Sequence, residues 1–480
     1  MGQPLARHNS DGCGLRRRPQ DAGRPDVSII IPCYNAATTV VETLASVQAQ
    51  THENWQAVCV DDESTDRTPE LLHAVSGEDA RICPLRVPHG GLASARNRGL
   101  TAAIAERVLF LDADDVLRPD ALATLLRAAS QLDEHTVISG GFELLTEQGR
   151  PLPACVFRPL PDNSFDAFLR GNRISVVALV PRVLLGPRAF DESLPACEDW
   201  DLWLRLCDAG VSIASVPRVL FGYRLRGGSL SGRADLMHAA GRRVLDRWLP
   251  RARRHTQVRD VRHLWAAQCG AQALAAGQPE AIGDYFADLE PLVPTDGFAA
   301  VVAHGIHAAY RAIHGASGAL WRDHADRWLA EIDAWLPAGP LAACADAIAA
   351  HLAAAVVDTD GRLDVLRALL ERRPDAQRLV VYGLGQNGLL LLERLRDQSW
   401  LRSRELQVAD DYADALTVDL IGRPRVWPSR WTEWPAETVA VITPDVPAPQ
   451  RAVLIGAGGR EGTDFVVLAG DGVVAASASS

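Results

Sequence analysis

The chain has 480 residues, of which 48% are apolar and 23% charged, enough for about three globular domains. Its formal net charge of −11 provides no overall basic field, which sets nucleic-acid binding aside. All 49 basic residues are arginine, and without an ε-amine a P-loop NTPase, a protein kinase or a Schiff-base or pyridoxal-phosphate enzyme is excluded.

Residues 1–25 are polar, and Arg16, Arg17 and Arg18 have no apolar run behind them, so they read as a disordered tail rather than a signal peptide. No stretch approaches the roughly 18–20 apolar residues of a membrane-spanning helix, and the protein is expected in the cytoplasm. Between Val27 and Ser231 short β-branched runs alternate with helical stretches. Strands are expected at Val27–Ile31, Gln56–Val60, Cys83–Val87 and Arg107–Leu111, with helices at about Ala37–Ala49, Thr68–Val75 and Ala93–Ile104. This order predicts an α/β domain over residues 26–231 with a mostly parallel sheet, in which ligands bind beyond the carboxyl ends of the strands.

Residues 232–373 are rich in Ala, Leu, Arg, His and Trp and read as a helical connector or interaction domain, with Trp265, Trp321, Trp328 and Trp335 as core anchors. After Pro374 the alternation returns. Strands at Arg378–Tyr382, Leu406–Ala409, Thr438–Ile442 and Phe465–Leu468 and a helix at Gln386–Arg396 define a small α/β domain at 374–480, ending in the low-complexity Ala475–Ser480. The nine cysteines are odd in number and scattered, with no CxxC pair, which argues for reduced thiols and against a zinc site.

Three acidic clusters fall just after strands or at a helix start. They are Asp61-Asp62-Glu63-Ser64-Thr65-Asp66, Asp112-Ala113-Asp114-Asp115, and Glu198-Asp199, which opens the amphipathic helix Trp200–Asp208. Strand ends on one edge of a parallel sheet converge, so the first two clusters would line one site. Concentrated carboxylates repel one another unless a cation sits among them, and hard oxygen ligands suit Mg²⁺ or Mn²⁺ carrying a diphosphate. Each feature also has a purely structural reading. Acids complement a helix N-terminus, Asp-rich turns cap helices, Arg96 suits an ordinary helix surface, and Tyr34 and Trp200 suit a core.

The run Val27-Ser28-Ile29-Ile30-Ile31-Pro32-Cys33-Tyr34-Asn35 resembles the opening strand of family 2 glycosyltransferases of GT-A fold. The Asp61–Asp66 run follows in that family's order, then Gly91-Leu92-Ala93-Ser94-Ala95-Arg96-Asn97, Leu111–Asp115 and Cys197-Glu198-Asp199-Trp200-Asp201-Leu202-Trp203. Tyr223-Arg224-Leu225-Arg226 through Ser231 resembles the closing segment. The resemblance implies inverting transfer of a sugar from a nucleoside-diphosphate donor to a hydroxyl of a glycan, lipid-linked or protein acceptor, in bacterial surface polysaccharide or glycoconjugate synthesis. Peripheral contact at the inner face of the membrane is compatible with it. Donor-site residues would be Pro32 and Tyr34, walling the base, with Asn35. Asp62 or Asp61 would meet base or ribose, and Arg96 and Asn97 would support the pocket. Asp112 would lie on the ribose side, and Asp114, with Asp112 beside it, would bind the metal. Asp199 is the expected general base, with Glu198 the second candidate.

Three positions depart from the pattern. Glu63 stands where glycine is usual, which predicts an altered turn, and His89 stands where asparagine is common. Arg226 occupies the place of a histidine able to complete the metal site; it cannot ligate a cation but is expected to hold the diphosphate. The loops around His89 and Phe142–Arg173 are where donor and acceptor choice would lie.

Near the carboxyl end Gly383-Leu384-Gly385-Gln386-Asn387-Gly388 matches GxGxxG between a strand and a helix, and Asp410-Asp411 follows about 20 residues beyond. The segment resembles small Rossmann-like domains of bacterial sugar-modifying enzymes. Gly383, Gly385, Gly388 and Asp410 would then form a second nucleotide site, for NAD or another nucleotide, although glycines there also serve helix–strand packing. Two other functions stay open at this stage: a catalytically silent nucleotide-sugar-binding scaffold, and an NAD-linked sugar-modifying enzyme acting through this domain. The presence of both Asp114 and Asp199 argues against the first. The lack of an acid–base pair beside the glycine loop argues against the second.

Overall fold

A computed structural model describes residues 23–156, 165–227, 229–252, 261–275 and 284–285. In the carboxyl-terminal part it describes 359–382, 391, 395, 398, 401, 404–409, 434–442, 453–461 and 463–467. Residues 1–22 of the tail expected at 1–25, Trp321, Trp328 and Trp335, the Gly383–Gly388 loop, Asp410 and Ala475–Ser480 lie outside the described residues.

Strand β1 (Val27–Cys33) is buried along its whole length and forms the centre of the first sheet. It pairs in parallel with β2 (Trp55–Asp61) and β4 (Arg107–Phe110), and β3 (Ile82–Arg86) adds in parallel outside β2. Strands covered on both faces need continuous apolar runs, which is how this part reads in sequence. Helices α1 (Val40–Gln48), α2 (Thr68–Glu78) and α3 (Leu92–Ala102) make the crossovers. Gly99 lets α3 lie close against the sheet, because a Cβ there would sit 2.4 Å from Ile30 Cγ2.

Beyond β4 the sheet changes character. Strand β8 (Leu179–Pro181) runs antiparallel to β4, and β6 (Val137–Leu145) runs antiparallel to β8. Strand β9 (Ile213–Arg224) runs parallel to β6, with β5 (Val116–Leu117) antiparallel at the edge and β7 (Pro151–Val156) in a hairpin with β6. The expected mostly parallel sheet is therefore half right. Helical crossovers make the β3-β2-β1-β4 side parallel, whereas a tight turn through Gly149 (φ +78°) reverses the chain after β6.

Four further helices follow on this domain: α4 (Ala121–Ala129), α5 (Phe165–Leu169), α6 (Glu198–Asp208) and α7 (Ala234–Trp248). Ala240, Val244, Leu245 and Trp248 of α7, and Trp265, Ala266 and Cys269 of α8 (Val261–Ala275), belong to the same buried cluster as β1 and β4. Trp265 stacks on Trp200 at 4.9 Å, and Asp201 accepts hydrogen bonds from Trp248 Nε1 and Arg247 Nη1, both at 2.8 Å. The core of the first domain thus runs past residue 231 into α7 and α8. Trp200 is a core aromatic, its indole N–H donating to Phe168 O.

Helix α9 (Thr359–Arg372) leads into four parallel strands, β10 (Arg378–Tyr382), β11 (Glu405–Ala409), β12 (Thr438–Ile442) and β13 (Phe465–Val467), in the order β11-β10-β12-β13. Leu366, Leu369 and Leu370 of α9 cover one face through Leu379, Val381 and Val408. Val380, Tyr382 and Ile442 join Leu454 and Phe465 on the other.

Candidate active site

The carboxyl ends of β1, β2 and β3 meet in a lattice of hydrogen bonds. Pro32 is buried inside β1 opposite Val60, so it shapes the strand rather than an exposed wall. Tyr34 stands just beyond, half exposed, with its ring 4.6 Å from that of His89; it is not a core residue. Asn35, at φ +50°, donates its N–H to Ser64 Oγ and accepts Thr65 N–H through Oδ1. Asp61 is buried, accepts Ser64 N–H and pairs with Arg86 at 3.3 Å.

Both carboxylate oxygens of the buried Asp62 accept backbone N–H groups, from Gly90 and Gly91 at 2.9 Å each, and His89 Nδ1 lies 3.0 Å from one of them. Asp62 therefore fixes the loop that carries His89. The altered turn expected at Glu63 is not found: Glu63 adopts the left-handed conformation itself (φ +61°), and its carboxylate accepts His89 N–H at 3.1 Å. That hydrogen bond offsets the backbone strain a side chain suffers there.

The second and third acidic clusters are joined by Arg96. This side chain is almost fully buried, not on a helix surface, and bonds Asp112 Oδ1 through Nη2 at 2.6 Å and Glu198 Oε1 through Nη1. Burial alone would weaken its charge, but Asp112 and Glu198 hold its pKa well above the ordinary guanidinium value. Its neighbour Asn97 clamps the backbone of Phe190 by two hydrogen bonds of 2.9 Å, donating to its carbonyl and accepting its N–H. Asn97 thus supports the site from behind.

Glu198 opens α6 from Cys197, which is itself left-handed (φ +60°). Its carboxylate is paired with Arg96, whereas the neighbouring Asp199 makes no hydrogen bond to that guanidinium. Asp199 is partly exposed; Oδ2 accepts from Asn172 Nδ2 at 2.8 Å and Oδ1 from Trp200 N–H at 2.7 Å. Burial and the adjacent Glu198 push its carboxyl up to about 6, against the pull of Arg96 and Asn172.

Asp114 and Asp115 sit on the turn after β4. Asp115 is buried and accepts Arg224 N–H at 3.0 Å; burial, Asp112 and Asp114 raise its pKa well above the carboxylate range. Asp114 is raised by burial and Asp112 and lowered by Arg226, whose Nη1 lies 3.4 Å from Asp114 Oδ2. Arg224, buried, donates to Asp114 O at 2.8 Å, to Glu147 O at 3.1 Å and to Glu42 Oε2 at 2.7 Å, fixing this turn against α1. Asn172 and Arg224 were not singled out by sequence reasoning. Arg224 lay inside a quoted motif, whereas Asn172 carried no local signal.

Among the described residues no group of three His, Cys, Asp or Glu side chains could hold a metal ion by itself. Asp114, partly exposed with the Asp112 charge nearby, nevertheless suits Mg²⁺ or Mn²⁺, which take one or two carboxylates and complete their shell with waters and phosphate oxygens. Also among the described residues, no helix is long and apolar enough to cross a membrane.

These features define a mixed α/β domain with an acidic site at the carboxyl edge of its parallel strands. Residues 28–145 match the model of glycosyl transferase family 2. The putative teichuronic acid biosynthesis glycosyltransferase TuaG of Bacillus subtilis is 30% identical over 211 residues, 43% of this chain and 82% of that protein. The succinoglycan biosynthesis protein ExoO of Rhizobium meliloti is 28% identical over 290 residues, 55% of this chain and 83% of that protein. An uncharacterized glycosyltransferase of Rickettsia felis is 28% identical over 207 residues, 42% of this chain; the chain spans only 33% of that relative's length. The chain belongs to glycosyl transferase family 2.

Proposed function

We propose that the first domain transfers a sugar from a nucleoside-diphosphate donor to a hydroxyl acceptor, with inversion, in the synthesis of a bacterial polysaccharide or related glycoconjugate. The observation that carries this reading is Arg96. One buried guanidinium ties the Asp112 turn to the start of α6, holding a donor-side carboxylate and a proton-accepting carboxylate in one site although they are 87 positions apart (Asp112 to Asp199). The names of ExoO and TuaG supply the polysaccharide context.

In this reading the exposed face of Tyr34, backed by His89, stacks on the nucleobase, and Asp62 keeps the His89 loop rigid. Asp114, with Asp112 beside it, would hold Mn²⁺ or Mg²⁺, which supplies Lewis-acid stabilisation of the departing diphosphate. Asp199 accepts the acceptor's hydroxyl proton, and its raised pKa makes it a stronger base that is still mostly ionised at neutral pH. Asn172 and Trp200 N–H fix the carboxylate's orientation. A hydroxyl deprotonated opposite the leaving diphosphate displaces it in one step, which inverts the anomeric centre.

Calorimetric titration of UDP, GDP and dTDP with and without Mn²⁺, on the wild type and Asp114→Asn, tests the donor assignment. The expected result is Mn²⁺-dependent binding of one nucleotide that the substitution abolishes. Failure of all three to bind would overturn it. Asp199→Asn is expected to keep that binding and lose about 10²–10⁴ in turnover.

A further inference from the structure

Among the described residues three arginines reach the Asp112–Asp115 turn and the start of α6, and they are held very differently. Arg96 bridges two carboxylates, and Arg224 makes three side-chain hydrogen bonds besides being buried. Arg226 is partly exposed and, among the described residues, makes one long side-chain contact, 3.4 Å to Asp114. It projects from the turn that follows β9, where Ser229 N–H bonds Arg226 O and a Cβ added to Gly227 would meet nothing within 4 Å. The weakest-held arginine of the site therefore rests on the carboxylate assigned to the divalent ion.

We infer that Arg226 is a latch on Asp114, covering it in the unliganded protein and moving to the donor's diphosphate when the metal enters. This rests on the donor and metal reading above. Two cations on one carboxylate repel, so an ion binding alone has to displace Arg226. A diphosphate gives the displaced guanidinium a better partner, since bidentate Arg–phosphate pairs exceed a single long ion pair. Metal and nucleotide each remove an obstacle to the other, and linkage makes that coupling reciprocal. The latch lowers metal affinity a few-fold while no donor is bound.

The test is calorimetry on wild type, Arg226→Ala and Arg226→Lys, using Mn²⁺ alone and the nucleoside diphosphates UDP, GDP and dTDP in saturating Mn²⁺. Loss of the latch should tighten Mn²⁺ alone by about two- to fivefold, the range of a partly exposed ion pair. In the same protein the nucleotide in Mn²⁺ should weaken by about tenfold or more, as expected for a lost charge-assisted hydrogen bond. Arg226→Lys should fall between the two proteins on both readouts. Opposite signs are the signature, because general damage to the site would weaken both. Mn²⁺ binding Arg226→Ala no more tightly than wild type, while nucleotide still binds, overturns the latch alone. No nucleotide binding to wild type under any condition overturns the latch together with the donor assignment.

Discussion

Asn172→Ala separates the positioning of the proposed base from the chemistry it performs. Asn172 donates to Asp199 Oδ2 at 2.8 Å and so stabilises the ionised carboxylate, partly offsetting burial and Glu198, which still push it up to about 6. A hydrogen bond to a charged group contributes about 1.5–3 kcal/mol, and water reaching the partly exposed carboxylate recovers part of it. A net loss of about 1.4 kcal/mol corresponds to one pKa step, which moves Asp199 from about 6 to about 7. The acid limb of kcat/KM should move upward accordingly. At pH 6 the ionised fraction falls from about a half to about a tenth, a loss of about fivefold, while at pH 8.5 the two proteins should nearly coincide. Release of nucleoside diphosphate from the donor, followed from pH 5 to 9, reads this directly. A loss of equal size at every pH, or an acid limb that does not move, would show that Asn172 acts on structure and not on the ionisation of Asp199.

The same shift has a consequence for stability. Asp199 titrates above its ordinary 3.8 in the folded chain, so folding favours its protonated form; its contribution is full below pH 3.8 and is lost as pH rises through about 6. Above that the ionised carboxylate costs about 3 kcal/mol, and Asp199→Asn should raise Tm by several degrees at pH 8 but not at pH 4; an equal gain at both would refute the assignment. Arg96→Met leaves Asp112 and Glu198 without their shared cation and should cost about 3–5 kcal/mol in urea unfolding, part of it recovered by adding Glu198→Gln. An unchanged midpoint would show that the bridge is dispensable. Tyr34→Ala removes a half-exposed ring that supports no core, so Tm should hold while nucleotide affinity falls by about five- to a hundredfold. Unchanged affinity would remove Tyr34 from the base site.

What was legible in the sequence follows from what is local. The strands β1, β2, β4 and β10 to β13 are parallel and mostly covered on both faces, so they stand out as continuous apolar runs with acidic or glycine-rich ends. The half of the first sheet built from β6, β8 and β9 was not legible, because its pairings join segments separated by intervening helices and loops. Glu63 was misread for a different reason: a left-handed turn usually demands glycine, but a bond from its own side chain to His89 N–H supplies compensation that no local rule registers.

The residues of the site divide along the same line. Asp112, Asp114, Glu198 and Asp199 announce themselves as charges placed against the apolar pattern. Arg96 does not, since an arginine on a helix is ordinary until its partner is known, and Glu198 is 102 positions away. A buried guanidinium costs several kcal/mol to desolvate and persists only with carboxylates on both sides. Its burial therefore links the two acidic motifs: both carboxylates stabilise the guanidinium, and the guanidinium offsets their mutual repulsion. Of the two carboxylates in that group that Arg96 does not bond, Asp114 faces Arg226, and Asp199 is the one whose proton affinity is raised to about 6, into the range where base chemistry at neutral pH becomes feasible.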